Sequence, residues 1–290
     1  MTRGNPAAQT AFGPMLLAAI EQNEPPQRRL VDDDLAAQFL PARMRALVAA
    51  TRAAPVRRAV MAAVQRSGPG LWSSIACRKR LIDERLSDPL NETDAVVVLG
   101  AGLDTRGCRI ARHSDMPVFE VDQAVNIERK AAVLQRVLGG TPPSVHLVSA
   151  DLERDDLLAA LQAAGYDASR RTFFIVEGVT QYLSPDAVRS TLAALGTAGK
   201  GSRLVFSYIR QDFLDGTNLY GAPSLHRRFR GRHPVWHTGL VPEQLGEWLA
   251  DVGWQLVEQA GPSYYRDLYI RPTGRTLAAS PIEWTAVAQR

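Results

Sequence analysis

Cysteine is scarce: Cys77 and Cys108 are the only two in 290 residues. They stand far apart with no metal-ligand spacing and no secretory context, so two free thiols are expected and a disulfide framework is excluded. No apolar run approaches the roughly 18 to 20 residues that a membrane-spanning helix needs. Residues Met1 to Pro14 lack a basic segment followed by an apolar stretch and a cleavage site, so a cytoplasmic protein is expected, without a membrane partner. Charge of one sign does not dominate either: 34 basic against 30 acidic residues leave a net charge of +4. That mild excess does not imply nucleic acid. The one basic concentration is Arg227, Arg228, Arg230 and Arg232 between His226 and His233. It reads as a solvated loop face or as a clamp for an acidic substrate. His226, His233 and His237 have no regular ligand spacing, so no metal is expected. Repeats and low-complexity tracts are absent.

What is present is enough apolar material for a sizeable core, 46% of the chain, and a change of character near residue 90. Before it the apolar positions recur with helical spacing: Leu16, Leu17 and Ile20; Leu35 and Phe39; Met44, Leu47 and Val48. Pro25, Pro26, Pro41 and Pro55 punctuate these segments, and residues 71–87 form a further amphipathic helix. Residues 1–90 are therefore expected to be a helical cap packed on a domain spanning 91–290.

After residue 90, short β-branched runs alternate with amphipathic stretches of helix length. Ala95–Leu99, Pro117–Val121, Val145–Val148, Thr172–Val176 and Arg203–Tyr208 read as strands buried on both faces. Asn126–Leu138, Asp155–Ala163 and Pro185–Leu195 read as helices, the last capped by Ser184 with proline at its first position. This order predicts an α/β fold with a doubly wound, mostly parallel sheet. A helix at Glu243–Leu249 and an antiparallel edge pair, Gln255–Glu258 with Leu268–Ile270, bring the strands to seven. The polar, aromatic insert at 211–238 is long enough to be a lid or substrate loop.

The sharpest local signal is Val96-Val97-Val98-Leu99-Gly100-Ala101-Gly102-Leu103-Asp104-Thr105-Arg106. A strand ending in Gly-x-Gly turns tightly and lets backbone approach a ligand at the carboxyl edge of the sheet. A dinucleotide loop carries a third glycine where Thr105 stands. Asp104 also places negative charge near the helix start, where a pyrophosphate would suffer and a zwitterionic amino-acid moiety would not. The loop thus favours S-adenosylmethionine (SAM) over NAD, although an ordinary strand-to-helix turn can share the pattern. Glu120 and Asp122 share a face at the end of the second strand; Asp122, at the tip, is the better ribose ligand. Asp151 and Leu152 after the third strand suit an adenine amino group and ring, or alternatively Asp151 caps the following helix.

Taken together, these residues resemble the leucine carboxyl methyltransferase type of SAM-dependent O-methyltransferase, in its bacterial polyketide carboxyl methyltransferase-like branch. The resemblance runs from about Asp34 to Ile270. It is carried by Arg78-Lys79-Arg80-Leu81-Ile82-Asp83, the Leu99–Arg106 loop, Glu120-Val121-Asp122, Ala150-Asp151-Leu152, Glu177-Gly178-Val179-Thr180-Gln181-Tyr182-Leu183 and Gly239-Leu240-Val241-Pro242. It implies a class I, Rossmann-like fold in which Arg78 pairs with the SAM carboxylate and Gly100 and Gly102 pass beneath the methionyl part, with Ala101 and Asp104 of the same loop also in the cofactor site. Asp122 then holds the ribose, Asp151 and Leu152 the adenine, and Glu177 the amino or sulfonium region. Lys79 stands where the family usually has threonine, and an exposed helix charge is the alternative reading of Arg78.

Methyl transfer from a sulfonium is an in-line displacement that asks for alignment and exclusion of water, with no covalent nucleophile. No general base stands out, which favours an acceptor already ionised at neutral pH, a carboxylate near pKa ~4.3, over a phenol near ~10. Tyr182, Tyr208, Tyr220 and Trp236 could line the acceptor pocket and Arg230 could clamp an acid, or each could be ordinary packing. The expected products are a small-molecule methyl ester and S-adenosylhomocysteine. Methylation of a phenol or hydroxyl, another SAM-using reaction, and a SAM-binding regulator without catalysis are the alternatives. The oligomeric state is not legible.

Overall fold

The computed structural model describes residues 12–88, 92–231 and 234–290. Its centre is a seven-stranded sheet in the order β3-β2-β1-β4-β5-β7-β6. The strands are β1 (Ala95–Leu99), β2 (Val118–Asp122), β3 (Val145–Ser149), β4 (Thr172–Val176), β5 (Arg203–Ile209), β6 (Gln255–Ala260) and β7 (Glu283–Gln289). The first five are parallel; β7 runs antiparallel to both β5 and β6. The expected α/β class, strand number and antiparallel edge are all present.

Both faces of the sheet are covered, which is why its strands carry unbroken apolar runs. Val96, Val98, Phe173, Ile175 and Val205 face the N-terminal helices and pack with Ile20, Phe39, Trp72 and Leu81. Their neighbours Val97, Leu99, Phe174, Val176 and Phe206 point the other way, onto Leu161, Leu192, Leu249 and Trp254. Each fully buried Val, Leu or Phe contributes about 1.5–3 kcal/mol, so the N-terminal helices share the principal core of the sheet. The helix Leu71–Leu86 is central to this layer, burying Trp72, Cys77, Leu81 and Ile82.

A buried carboxylate ties the beginning of the chain to its end. Glu21, 1% exposed, takes two bonds from the Arg275 guanidinium (2.7 and 3.0 Å), one from Trp72 Nε1 (2.8 Å) and one from the Leu30 N–H (3.1 Å). A buried acid so fully bonded is tolerable, and the bidentate arginine fixes its orientation. Ser184 caps Pro185–Leu195 as expected, accepting from Ala187 N.

One element departs from expectation. Leu268–Ile270 is not a strand: Tyr265–Ile270 is a π-helical turn, and the seventh strand is Glu283–Gln289. Tyr265, Tyr269 and Ile270 are buried against the N-terminal layer while Leu268 is 53% exposed. A run of aromatic and aliphatic residues reads alike in a strand or a helical turn, and here packing decided. Among the described residues no helix is long and apolar enough to cross a membrane.

Candidate active site

A cavity of about 520 Å³ opens at the carboxyl ends of the parallel strands. Its first wall is the loop after β1. Gly100 and Gly102 both have positive φ, 61° and 45°, so the chain turns through left-handed conformations that L side chains resist. A Cβ on Gly100 would lie 2.3 Å from Val179 Cγ2, so the loop and the segment after β4 meet at a spacing only glycine permits.

The strand tips place acids around this loop. Asp122, ending β2, accepts from Gly102 N through Oδ2 (2.7 Å) and from Gln123 N and Asn126 Nδ2 through Oδ1 (2.7 Å each). Glu120, two residues earlier, has a different fate. It is fully buried and pairs with Lys130 Nζ at 2.5 Å, beneath the loop rather than in the cavity. Burial raises its pKa despite Lys130, and Lys130 also donates to the Asp104 carbonyl at 2.7 Å. Asp151 and Leu152 line the cavity, and the cap of Leu157–Ala163 is Asp156, so the helix-cap alternative for Asp151 does not apply.

Behind the loop lies a buried ionic network that the motifs only hinted at. Arg106, 2% exposed, reaches Asp83 Oδ1 (2.5 Å), Asp104 Oδ2 (2.5 Å) and Glu177 Oε2 (2.6 Å). Glu177 Oε1 in turn faces Arg78 Nη2 (2.8 Å) and Lys79 Nζ (3.4 Å), and Arg78 Nη1 binds Glu283 on β7. Burial pushes the Glu177 carboxyl up, but Lys79, Arg106 and Arg78 outweigh it and hold it well below the usual range. Asp104 is likewise held low, Arg106 and Lys79 prevailing over burial. Arg78 is 4% exposed, which rules out the reading of an exposed helix charge. Lys79, the departure from the family pattern, joins the same network.

The other half of the cavity is apolar, bounded by Leu71, Ile75, Ile209, Leu225 and Phe229. The insert contributes two short helices, Gln211–Leu214 and Pro223–Arg230, folded on a small core of Phe213, Leu225, Trp236 and Ile282. Of the candidate acceptor residues, Tyr182 and Trp236 line the cavity; Tyr208, Tyr220 and Arg230 do not. Tyr208 is buried in the sheet with its hydroxyl accepting from Gln259 Nε2 (2.7 Å). The Tyr220 hydroxyl donates to Asp212. Arg230 holds backbone, donating to Trp236 O (2.8 Å) and Leu214 O (3.1 Å). Arg228 reaches the cavity instead, its guanidinium 5.4 Å from the Phe229 ring centre. Arg227 is exposed, and Arg232 and His233 lie outside the described residues. Among the described residues no group of three His, Cys, Asp or Glu is placed to hold a metal ion.

Sequence reasoning passed over Arg106, Glu283, Gln181 and Phe229. Arg106 stood inside the loop motif with no role given to it. Glu283 carries no local signal, because its partner Arg78 is 205 residues away.

With this geometry in view, the model of the family described as leucine carboxyl methyltransferase matches residues 11–196. The chain belongs to the leucine carboxyl methyltransferase family. Relatives include a Mycolicibacterium smegmatis protein, 31% identical over 203 residues, covering 67% of this chain and 65% of the relative. A Mycolicibacterium paratuberculosis protein is 42% identical over 135 residues, 46% of this chain and 42% of the relative. Both are named "Putative S-adenosyl-L-methionine-dependent methyltransferase", and the match spans from about two fifths to two thirds of their length. Among solved structures, a "putative methyltransferase" of Thermobifida fusca superposes with a TM-score of 0.60 at 18% identity, over 100% of this chain and 99% of that one. A DUF574 family protein of Streptomyces avermitilis gives 0.55 at 17% identity, over 81% and 91%. These likenesses bear on the fold of this family member.

Proposed function

We propose that the chain is a SAM-dependent methyltransferase that esterifies a carboxylate of a small, largely apolar molecule. The observation that carries this reading is the charge of the cavity wall: Asp104, Asp122, Asp151, Glu153, Glu177 and Glu283 line it against Arg78, Lys79 and Arg228. Six acids against three cations oppose a pyrophosphate and suit a ligand bearing an ammonium and a sulfonium.

The residues present fit SAM. Three of the roughly four accepting positions of the Asp122 carboxylate are filled, so one stays open to a ribose hydroxyl. Arg78 and Lys79 can share a carboxylate with Glu177, and Asp151 with Leu152 offers an acceptor and a cover for adenine. When bound, SAM supplies an electrophilic methyl group. The chain's own part is to align the acceptor oxygen and keep out water, and the apolar half of the cavity suits both tasks. No imidazole lines the cavity among the described residues, and its acids sit at the glycine loop, in the ionic network and in the segment after β3. An acceptor that is already ionised needs no base there, which supports a carboxylate.

Calorimetry with SAM, S-adenosylhomocysteine and NAD tests the cofactor. The parent is expected to bind the first two, with Asp122→Ala and Gly102→Val at least tenfold weaker; parent-like affinity in both variants overturns the site. A base-labile methyl ester as product supports the carboxylate. A stable ether points to a hydroxyl acceptor, and methylthioadenosine to a different use of SAM.

A further inference from the structure

Two buried polar groups on the cavity wall have no partner among the described residues. Trp236 and Gln181 are each 5% exposed, both line the cavity, and neither Trp236 Nε1 nor Gln181 Oε1 makes a hydrogen bond. Native proteins leave few buried donors or acceptors unpaired, and on a cavity wall a bound molecule can supply the missing partner.

Both side chains are held rather than loose. The Trp236 indole stacks on Phe229 with ring centres 4.1 Å apart and planes 4° from parallel, and it leans on Phe213 at 6.3 Å. Arg230 fixes its backbone carbonyl at 2.8 Å. Gln181 sits in the turn Thr180–Tyr182, pinned where Thr180 Oγ1 donates to Ser207 O (2.8 Å). The Gln181 backbone carbonyl accepts from the N–H of His237, the neighbour of Trp236, at 2.6 Å. The two unpaired groups are therefore presented by segments locked to each other.

An indole N–H only donates, and an amide oxygen only accepts. A bare carboxylate satisfies the first and leaves the second stranded; a ligand that also carries a hydroxyl satisfies both. Arg228, exposed on the cavity wall with no acid paired to it among the described residues, adds a cation that favours an acid. We propose that Trp236 and Gln181 are the specificity-determining pair of the acceptor site, and that the acceptor is an apolar acid bearing a hydroxyl group. Trp236 Nε1–H donates to an acid oxygen, and Gln181 Oε1 accepts from the hydroxyl. This assignment rests on the methyltransferase reading above and narrows its substrate class.

The test uses matched acids with and without the hydroxyl: 3-hydroxy-2-naphthoate against 2-naphthoate, and 3-hydroxydecanoate against decanoate. Each is titrated calorimetrically into the full chain saturated with S-adenosylhomocysteine. The parent is expected to bind a hydroxylated member at least tenfold more tightly than its partner. Gln181→Met should abolish that preference, and Trp236→Phe, which keeps the ring and removes the N–H, should weaken both members of the pair about tenfold. Neither variant should shift S-adenosylhomocysteine affinity more than twofold. If Trp236→Phe fails to fold, the lost preference in Gln181→Met decides alone. Equal binding within each pair, parent-like behaviour of Gln181→Met, or binding of none of the four acids to the S-adenosylhomocysteine complex overturns the proposal. Failure of S-adenosylhomocysteine to bind the parent overturns the methyltransferase reading itself, a different and separable result.

Discussion

Lys130→Met probes the pair on which the glycine loop rests. Lys130 and Glu120 are both fully buried, and Lys130 Nζ spans Glu120 Oε2 (2.5 Å) and the carbonyl of Asp104 (2.7 Å). Removing the cation leaves a carboxylate in a site that cannot hold it charged, so Glu120 must take up a proton. From an ordinary value of 4.5, protonation at pH 7 costs about 1.36 kcal/mol for each of 2.5 pH steps, or roughly 3.4 kcal/mol. Loss of the bond to the Asp104 carbonyl adds about 1 kcal/mol. Together these make a loss of up to about 4.4 kcal/mol, which corresponds to a fall in Tm of up to roughly 9–18 °C for a domain of this size. The sign follows from linkage. In the variant the folded-state pKa of Glu120 is raised further above the unfolded value, so its stability is fully present below 4.5 and declines as pH rises. Urea denaturation between pH 5 and 8 should show the variant losing stability with a slope of up to about 1.4 kcal/mol per pH unit more than the parent. Replacing both partners, as in Glu120→Leu with Lys130→Met, should recover most of the loss. Parallel pH curves for variant and parent, or a double variant no better than the single one, would refute the reasoning.

Gly100→Ala should destabilise in two separable ways. The left-handed backbone costs about 1–2 kcal/mol, and the approach to Val179 Cγ2, 2.3 Å from the new Cβ, adds an overpacking cost of about 1–3 kcal/mol. Adding Val179→Ala should relieve only the second, so thermal unfolding of the double variant should show less than the sum of the single losses. Acid should act through Glu177 and Asp104, whose folded-state pKa values lie below the ordinary 4.5 and 3.8. Their contribution to stability is present above those values and drains away as pH falls through them. A chevron or melting series from pH 6 to 2 should therefore show the loss beginning near pH 4.5, and Glu177→Gln should flatten it.

Much of the frame was legible because it depends on local chemistry. β1 and β4 fall where their β-branched and aromatic runs place them, Ser184 with Pro185 marks a helix start, and Gly100-x-Gly102 announces a left-handed turn before any coordinate is known. The acids at the strand tips could be found by counting from that turn, since a strand of known register delivers its last residue to one edge. Counting to the strand tip already favoured Asp122 over Glu120; what it could not supply was the fate of Glu120, which the position of Lys130, on the next helix, fixes in the core.

The rest is long-range. Glu283 meets Arg78 across 205 residues, and Leu268–Ile270 becomes a π-helical turn because Tyr265 and Tyr269 are wanted in the N-terminal layer. Trp236 enters the cavity while Tyr208 and Tyr220 do not, a choice made by stacking on Phe229 and by Arg230 holding the backbone. Hydrophobic period, caps and glycine turns are properties of neighbours along the chain, so the residues themselves determined them. Ionic partners and cavity walls are properties of neighbours in space; many pairings satisfy the same composition, and only packing the layers together selects one.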